Sequence, residues 1–408
     1  MVFGLIQMEF QSFYLILNNM TSYRDALKCV LKNVKKKVVQ KNTQLTKNSF
    51  LAKNVYAKKN NPAYNNSLLD GFVFKSSDTK NNKAFNIIGE VAVGENKSIK
   101  YKKNSCYKVS TGGKIFSPYD CMVPYEKLRY DKKNVFLSSA IKKFKNVRLK
   151  GSDFKSGKFL LKKNTNISTA ASFLIKSSGN KTIHVYEKPK VVLFCSGDEI
   201  TDQINSNEKV INSIPEYIKS LSYNLNFDFT YLGIVKDNKQ SIEKVFNKIK
   251  KFNNSIIIST GGVSAGHKDF FPKFLKNKKY KTLFHRIKMQ PGRPTLFAKK
   301  NSNYYFGLPG NPISTIVGIH FLITPLVLAM QNKTLEFFEA KLQDSYKKNK
   351  NMTEVRRGYV KNKEVKILQD QESYKLNNLV NTNCWLLLDQ KTNFLKKGTK
   401  VKYIKYEN

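Results

Sequence analysis

Arginine, acidic side chains and cysteine are all scarce in this chain. Of 408 residues, 73 are Lys or Arg and 29 are Asp or Glu, a formal net charge of +44. Only seven of the cations are Arg (24, 129, 148, 286, 293, 356 and 357), leaving 66 Lys. A nucleic-acid reader clusters Arg for bidentate contacts and gathers its charge into a stripe. Lys here is spread along the whole chain, often beside Asn, which reads as a solvated surface with no nucleic-acid partner. Small polyanionic ligands suit such a field. The five Cys (29, 106, 121, 195, 384) form no CxxC and are odd in number. That excludes a disulfide framework and a structural zinc site and points to a reducing compartment, the cytoplasm by default. No Lys or Arg precedes Arg24, so the apolar N-terminus lacks the basic region of a signal peptide. Residues 1–19 read as an extension before a helix that begins after Met20.

Long apolar runs are few. One, Ile313 to Met330, sits in a stretch without formal charge between Lys300 and Lys333. It contains Ser314, Thr315, His320, Thr324 and Pro325, with Asn311 placed to cap and Pro312 as first helical residue. The expectation is a buried helix broken near Pro325, not a membrane span. With 40% hydrophobic and 12% aromatic residues the chain has material for packed cores, and its length suggests two to four domains.

The rhythm of the sequence changes along its length. Residues 70–147 alternate in short segments with Gly, Asn and Pro turns, which predicts a β-rich module. It looks thin for independent stability, which suggests a partner surface. From 188 onward strands alternate with helices (KVVLFCSG, FTYLGIV, SIIIST, NYYFGL), predicting an α/β domain with a mostly parallel sheet. After about 334 short strands return, predicting a small C-terminal β domain. The expected division is 1–19 extension, 20–64 with 148–187 helical linker domain, 65–147 β-rich domain, 188–333 α/β domain, and 334–408 C-terminal β domain.

Three of the α/β strands end in unusual loops: CSGDEI with Asp198 and Glu199, STGGVSAGHKD with Thr260, Gly261, Gly262, Ser264, Gly266 and Asp269, and GLPGNPIS with Pro309, Gly310, Asn311, Pro312 and Ser314. Ligands bind outside the carboxyl ends of strands in open α/β sheets. Glycine turns free backbone N–H groups to face an anion, and a helix start favours negative charge. Two loops therefore read as phosphate or oxyanion cradles and one brings carboxylates. Asp198, Glu199, Asp237 and Asp269 beside such a cradle suit Mg²⁺, although Asp198 also fits a capping role and Asp237 an ordinary turn. The turn Pro291-Gly292-Arg293-Pro294 presents a guanidinium at a fixed place, or forms a plain loop corner.

Taken together, NNSLLDGF, KGSDF, CSGDEI, STGGVSAGHKD, MQPGRP, GLPGNPIS and RRG resemble, in order and spacing, the molybdopterin molybdenumtransferases of the MoeA family, which includes the E domain of gephyrin. The resemblance covers about residues 20–408. It implies a multi-domain α/β fold with a MogA-like central domain, and Mg²⁺-dependent insertion of molybdenum from molybdate into adenylylated molybdopterin with release of AMP. By motif, Asp70, Asp153, Asp198, Glu199, Asp237 and Asp269 match the family's functional carboxylates, with Glu199 and Asp269 as metal ligands. Arg293, Arg357 and Ser373 match groups around the oxyanion. The resemblance also implies a homodimer and, as a partner, the adenylyltransferase of the preceding step. Two positions depart from the family pattern: Gln290 stands where a Lys is usual, and His267 where an acid is usual. His267 reads as an exposed substitution without a catalytic role. Competing readings are that adenylyl transfer itself, or a non-catalytic scaffold that keeps the fold.

Overall fold

The computed structural model describes residues 20–42, 49–95, 99–262, 270–348 and 351–406. The expected extension 1–19 lies outside them. The chain divides into two compact units, one formed by residues up to 38 with those from 186 onward, the other by residues 39–185.

The first helix, α1 (Tyr23–Lys32), is capped by Ser22, whose side chain accepts from the Asp25 N–H. The sequence places it with the linker domain, but it belongs to the larger unit. Tyr23, Ala26 and Val30 on its apolar face are buried in that unit's main core.

The smaller unit is built on six strands: β1 (Gly71–Phe74), β2 (Ala84–Val91), β3 (Ser105–Val109), β4 (Cys121–Pro124), β5 (Arg129–Tyr130) and β6 (Asn134–Phe136). Their order is β4-β1-β3-β2-β6-β5, with only β2 and β3 parallel. Gly71 is required where β1 meets β4, because a Cβ there would lie 2.1 Å from the Val123 carbonyl oxygen. Alternation along β1 sends Phe72 and Phe74 into one buried cluster and Val73 into another. The sheet is thus covered on both faces by the unit's own side chains. A short helix, α2 (Thr169–Ser177), closes a third small core with Leu51, Val55, Ile183 and Val185.

The larger unit carries the α/β sheet. Its elements are β7 (Lys190–Ser196), α3 (Ile214–Leu225), β8 (Asp228–Val235), α4 (Lys239–Ile249), β9 (Ser255–Thr260), α5 (Phe270–Asn277), β10 (Lys281–His285), β11 (Ile287–Gln290), β12 (Leu296–Lys300) and β13 (Asn303–Leu308). The sheet order is β8-β7-β9-β13-β12-β10, parallel across β8, β7, β9 and β13 and antiparallel beyond. The near-continuous apolar runs of β7 and β9 follow from burial on both faces.

After β13 come α6 (Pro312–Gly318), a π-helical turn (Ile319–Ile323) and α7 (Thr324–Met330). The expected break at Pro325 is instead this π turn, which keeps the helical run continuous. Proline cannot bond to the carbonyl four residues back, and here that carbonyl, Phe321, accepts from the Tyr23 hydroxyl at 3.4 Å. The run is long and apolar enough to cross a membrane, but 94% of its apolar window is buried inside the protein.

The C-terminal strands β14 (Phe338–Leu342), β15 (Thr353–Lys361), β16 (Glu364–Ile367), β17 (Cys384–Leu388) and β18 (Lys400–Lys405) pair in the order β15-β16-β14-β18-β17, and β17 returns to β15 to close a small barrel. Strand β11 joins its rim, with Met289 opposite Thr353 and Gln290 opposite Glu354.

His320, in the π turn, is buried against the Tyr217 hydroxyl and the rings of Trp385 and Tyr406. Burial lowers its pKa from 6.5 to about 4. Below pH 6.5 the unfolded chain takes up a proton that the folded chain refuses. Its contribution is therefore complete above pH 6.5 and is lost toward pH 4, at about 1.4 kcal/mol per unit. Urea unfolding at pH 7 and pH 5 should show a smaller stability gap for His320→Gln than for wild type.

Candidate functional site

Four parallel strands end at one level. Ser196 pairs with Val235, Cys195 with Thr260, and Thr260 with Leu308. The chain runs from β7 outward to β8 on one side, then crosses to β9 on the other, so the point between β7 and β9 is a topological switch. Here Gly261 (φ +83°) lies on the backbone of β7, where a Cβ would sit 2.2 Å from the Ser196 oxygen. Its N–H donates to the Leu308 carbonyl at 3.1 Å. Gly262 (φ +65°) is held against the Phe271 ring, and Gly310 comes to the Gly261 Cα. At Gly261 the ends of β7, β9 and β13 therefore come together through backbone.

Asp198, Glu199, Asp237, Thr260, Gly261, Gly262, Pro309, Gly310, Asn311 and Pro312 all belong to this strand-end region. Asp198 and Glu199 are exposed, and the Glu199 carboxylate folds back over Gly197. Asp237, half-buried, accepts a hydrogen bond from the Ser196 hydroxyl, which ties the β8 loop to the end of β7. Asn311 has the extended backbone of a helix cap, but its side chain makes no cap bond. Its buried Oδ1 has no partner. Ser264, Gly266, His267 and Asp269 lie outside the described residues.

The exposed carboxylates of Asp198 and Glu199 at the strand ends are donors of the kind that a hydrated Mg²⁺ uses. No group of three or more His, Cys, Asp or Glu suited to a metal occurs among the described residues. Mg²⁺ takes one or two carboxylates and completes its shell with substrate phosphates and water.

The first turn of α6 also borders, through Ser314, a cavity of about 860 Å³. Met289 to Pro294 form one wall and Gln369 to Tyr374 another, with Ser314, Tyr346, Met352 and Arg356 completing the lining. Of the residues expected around an oxyanion, the structure brings Pro291, Gly292, Arg293, Pro294, Ser314 and Ser373 together here. The turn is braced by the Thr295 hydroxyl, which donates to the Gly292 carbonyl at 2.7 Å. Its geometry leaves Arg293 exposed.

Arg357 is a correction. It is fully buried and lines no part of the cavity. Its guanidinium donates to the carbonyls of Asp370 (2.5 Å), Glu372 (3.2 Å) and Lys375, so it holds the far wall from beneath. Gln371 locks the same loop by exchanging hydrogen bonds with the Arg357 backbone at 3.0 Å. Arg356, which the sequence reading does not single out, lines the cavity in place of Arg357. The signal was present in two adjacent Arg on one strand, since successive strand side chains face opposite ways.

Asp70 and Asp153 belong to the smaller unit. Asp70 accepts from the Thr111 N–H (2.5 Å) and hydroxyl (3.0 Å), pinning the turn after β3. Asp153 accepts from the Asn61 side chain at 2.8 Å.

Residues 21–179 match the model of the MoeA N-terminal region (domain I and II), 192–329 that of a probable molybdopterin binding domain, and 339–406 that of the MoeA C-terminal region (domain IV). A molybdopterin molybdenumtransferase of Staphylococcus epidermidis is 28% identical over 275 residues, 65% of either chain. The match thus spans about two thirds of that relative's own length. One of Haemophilus influenzae is 26% identical over 352 residues, covering 83% of this chain and 87% of that protein. In fold, the molybdopterin biosynthesis MoeA protein of Pyrococcus horikosii superposes with a TM-score of 0.77 at 19% identity, over 95% of this chain and all of that one.

The close approach at Gly261 has a measurable consequence. Gly261→Ala meets a backbone oxygen as well as an unfavourable φ, whereas Gly398→Ala (φ +80°) enters open space. In urea unfolding Gly398→Ala should cost about 1 kcal/mol and Gly261→Ala at least about twice that.

Proposed function

The chain belongs to the MoeA family, and from that premise we propose that it is a molybdopterin molybdenumtransferase acting in molybdenum cofactor biosynthesis. In this reading it inserts molybdenum from molybdate into adenylylated molybdopterin and releases AMP. The observation that carries the reading is the pairing of two anion-receptive regions across one helix start. Pro312 opens α6 beside the glycine loops, and Ser314, two residues on, lines the cavity with Arg293. A phosphorylated pterin and a tetrahedral oxyanion need two such regions side by side.

The strand-end loops take the phosphorylated end of the pterin. The backbone N–H at Gly262 approaches it closely because no Cβ intervenes, while the Gly261 N–H stays on the Leu308 carbonyl and holds the loop in place. Glu199 and Asp269 would hold Mg²⁺, which would screen the phosphate charge, with Asp237 as a neighbouring functional carboxylate. The cavity takes molybdate, with Arg293 as a donor on the rigid turn and Ser373 on the opposite wall. Neither side chain is redox-active, so the oxyanion is bound without being reduced. Asp70 and Asp153 are further proposed functional carboxylates. A homodimer in the cytoplasm, with the adenylyltransferase of the preceding step as a partner, completes the proposal. The five thiols, all free, suit that compartment. Adenylyl transfer alone is disfavoured because it makes no use of the cavity or of the C-terminal barrel.

The test is AMP release from adenylylated molybdopterin on addition of molybdate. Glu199→Gln and Asp269→Asn should each lower turnover at least about tenfold, or about 1.4 kcal/mol of barrier. Wild-type rates for both variants at saturating Mg²⁺ would remove these carboxylates from the reaction.

A further inference from the structure

We propose that Arg356 is an oxyanion-binding residue of the cavity and, with Arg293, supplies its directional positive charge. This rests on the reading that the cavity takes the oxyanion, and it adds a ligand which that reading does not contain.

Composition makes the first argument. Lys outnumbers Arg by 66 to seven in this chain, yet among the described residues no Lys lines this cavity. The two cations that do are both Arg, at 293 and 356. In so Lys-biased a sequence, Arg in one small region marks places where a planar, forked donor does what an ammonium cannot. Arg357 shows the same selection, since its fork reaches carbonyls of three different residues.

Geometry makes the second argument. The Nε and one Nη of Arg356 donate to Glu354 Oε2 at 3.1 and 2.7 Å. The Tyr346 hydroxyl donates to the same oxygen at 3.1 Å, and the guanidinium stands 5.8 Å from the Tyr346 ring centre. Glu354 is 1% exposed and the Arg356 side chain 12%. One edge of the guanidinium is therefore clamped by a buried carboxylate. Its other Nη has no hydrogen-bond partner among the described residues. A side chain held this way loses little freedom on binding a ligand.

Charge makes the third. Asp370 and Glu372 on the far wall are both paired with Lys375, and Gln290 contributes only a neutral amide. Because one Lys cannot match two carboxylates, the far wall keeps a negative charge and the groups around the cavity are close to neutral. Arg293 is the cation with no ion-pair partner among the described residues, while Arg356 arrives already matched by Glu354. Arg356 should act through oriented N–H groups more than through its field, so its contribution should survive salt better than that of Arg293.

The experiment is calorimetric titration of molybdate into the purified full chain at low and high ionic strength. Arg356→Lys keeps a cation for Glu354, and Glu354→Gln/Arg356→Gln removes the pair without stranding a buried charge. Both should bind molybdate about tenfold more weakly than wild type, and the loss should persist at high salt. Arg293→Ala should weaken binding chiefly at low salt. Gln290→Lys, placed opposite Glu354 in the β11–β15 ladder, should restore part of the affinity in the Arg356→Lys background. Wild-type affinity in both Arg356 variants, with Arg293→Ala impaired, would overturn the role of Arg356 and leave the proposed function standing. Absence of molybdate binding by the wild type would overturn both.

Discussion

Backbone lying directly on backbone at the strand ends is the constraint on which the rest of the site depends. Gly261 can rest on the Ser196 carbonyl only because no Cβ separates them, and Gly310 lies in ordinary contact with Gly261. That contact draws the ends of β7, β9 and β13 into one small region, and the Ser196–Asp237 hydrogen bond adds β8. With Leu308 anchored by the Gly261 N–H, the start of α6 is fixed in turn. Ser314, in its first turn, then becomes part of the neighbouring cavity. A steric allowance of one atom thus sets the relation between the strand-end loops and the cavity.

The cavity shows a comparable economy in its use of charge. Arg357 is committed to the carbonyls of the far wall and positions it, whereas Arg356, one residue earlier on the same strand, faces the lining. Burying Arg357 is tolerable because backbone oxygens replace the hydration of both its Nη groups, only Nε being left without a partner. The barrel rim contributes through β11, whose pairing with β15 sets Gln290 beside Glu354. The turn bearing Arg293 and the strand bearing Arg356 are therefore held in one hydrogen-bonded ladder.

Much of this was legible in the sequence, for reasons that are physical. The apolar runs of β7 and β9, with a glycine or acidic loop directly after each, announce buried parallel strands ending at a ligand crevice. Pro on both sides of Gly292 and Arg293 announces a rigid turn. What could not be read was long-range. Nothing local distinguishes Arg356 from Arg357, because the face each presents depends on which loop, near residue 370, folds over the strand. The assignment of α1 to the α/β unit likewise depends on where its face of Tyr23, Ala26 and Val30 finds partners. The run through Pro325 was read as broken because a Tyr hydroxyl from α1 cannot be foreseen at the Phe321 carbonyl.

The central claim is that the cavity between the Pro291–Pro294 turn and the Gln369–Tyr374 loop receives the oxyanion. The most direct test is anomalous diffraction from crystals of the full chain soaked with tungstate, an isosteric oxyanion with a strong signal. The account predicts one dominant peak in this cavity, between Arg293 and Arg356. Peaks scattered over the lysine-covered surface, with the cavity empty, would contradict it.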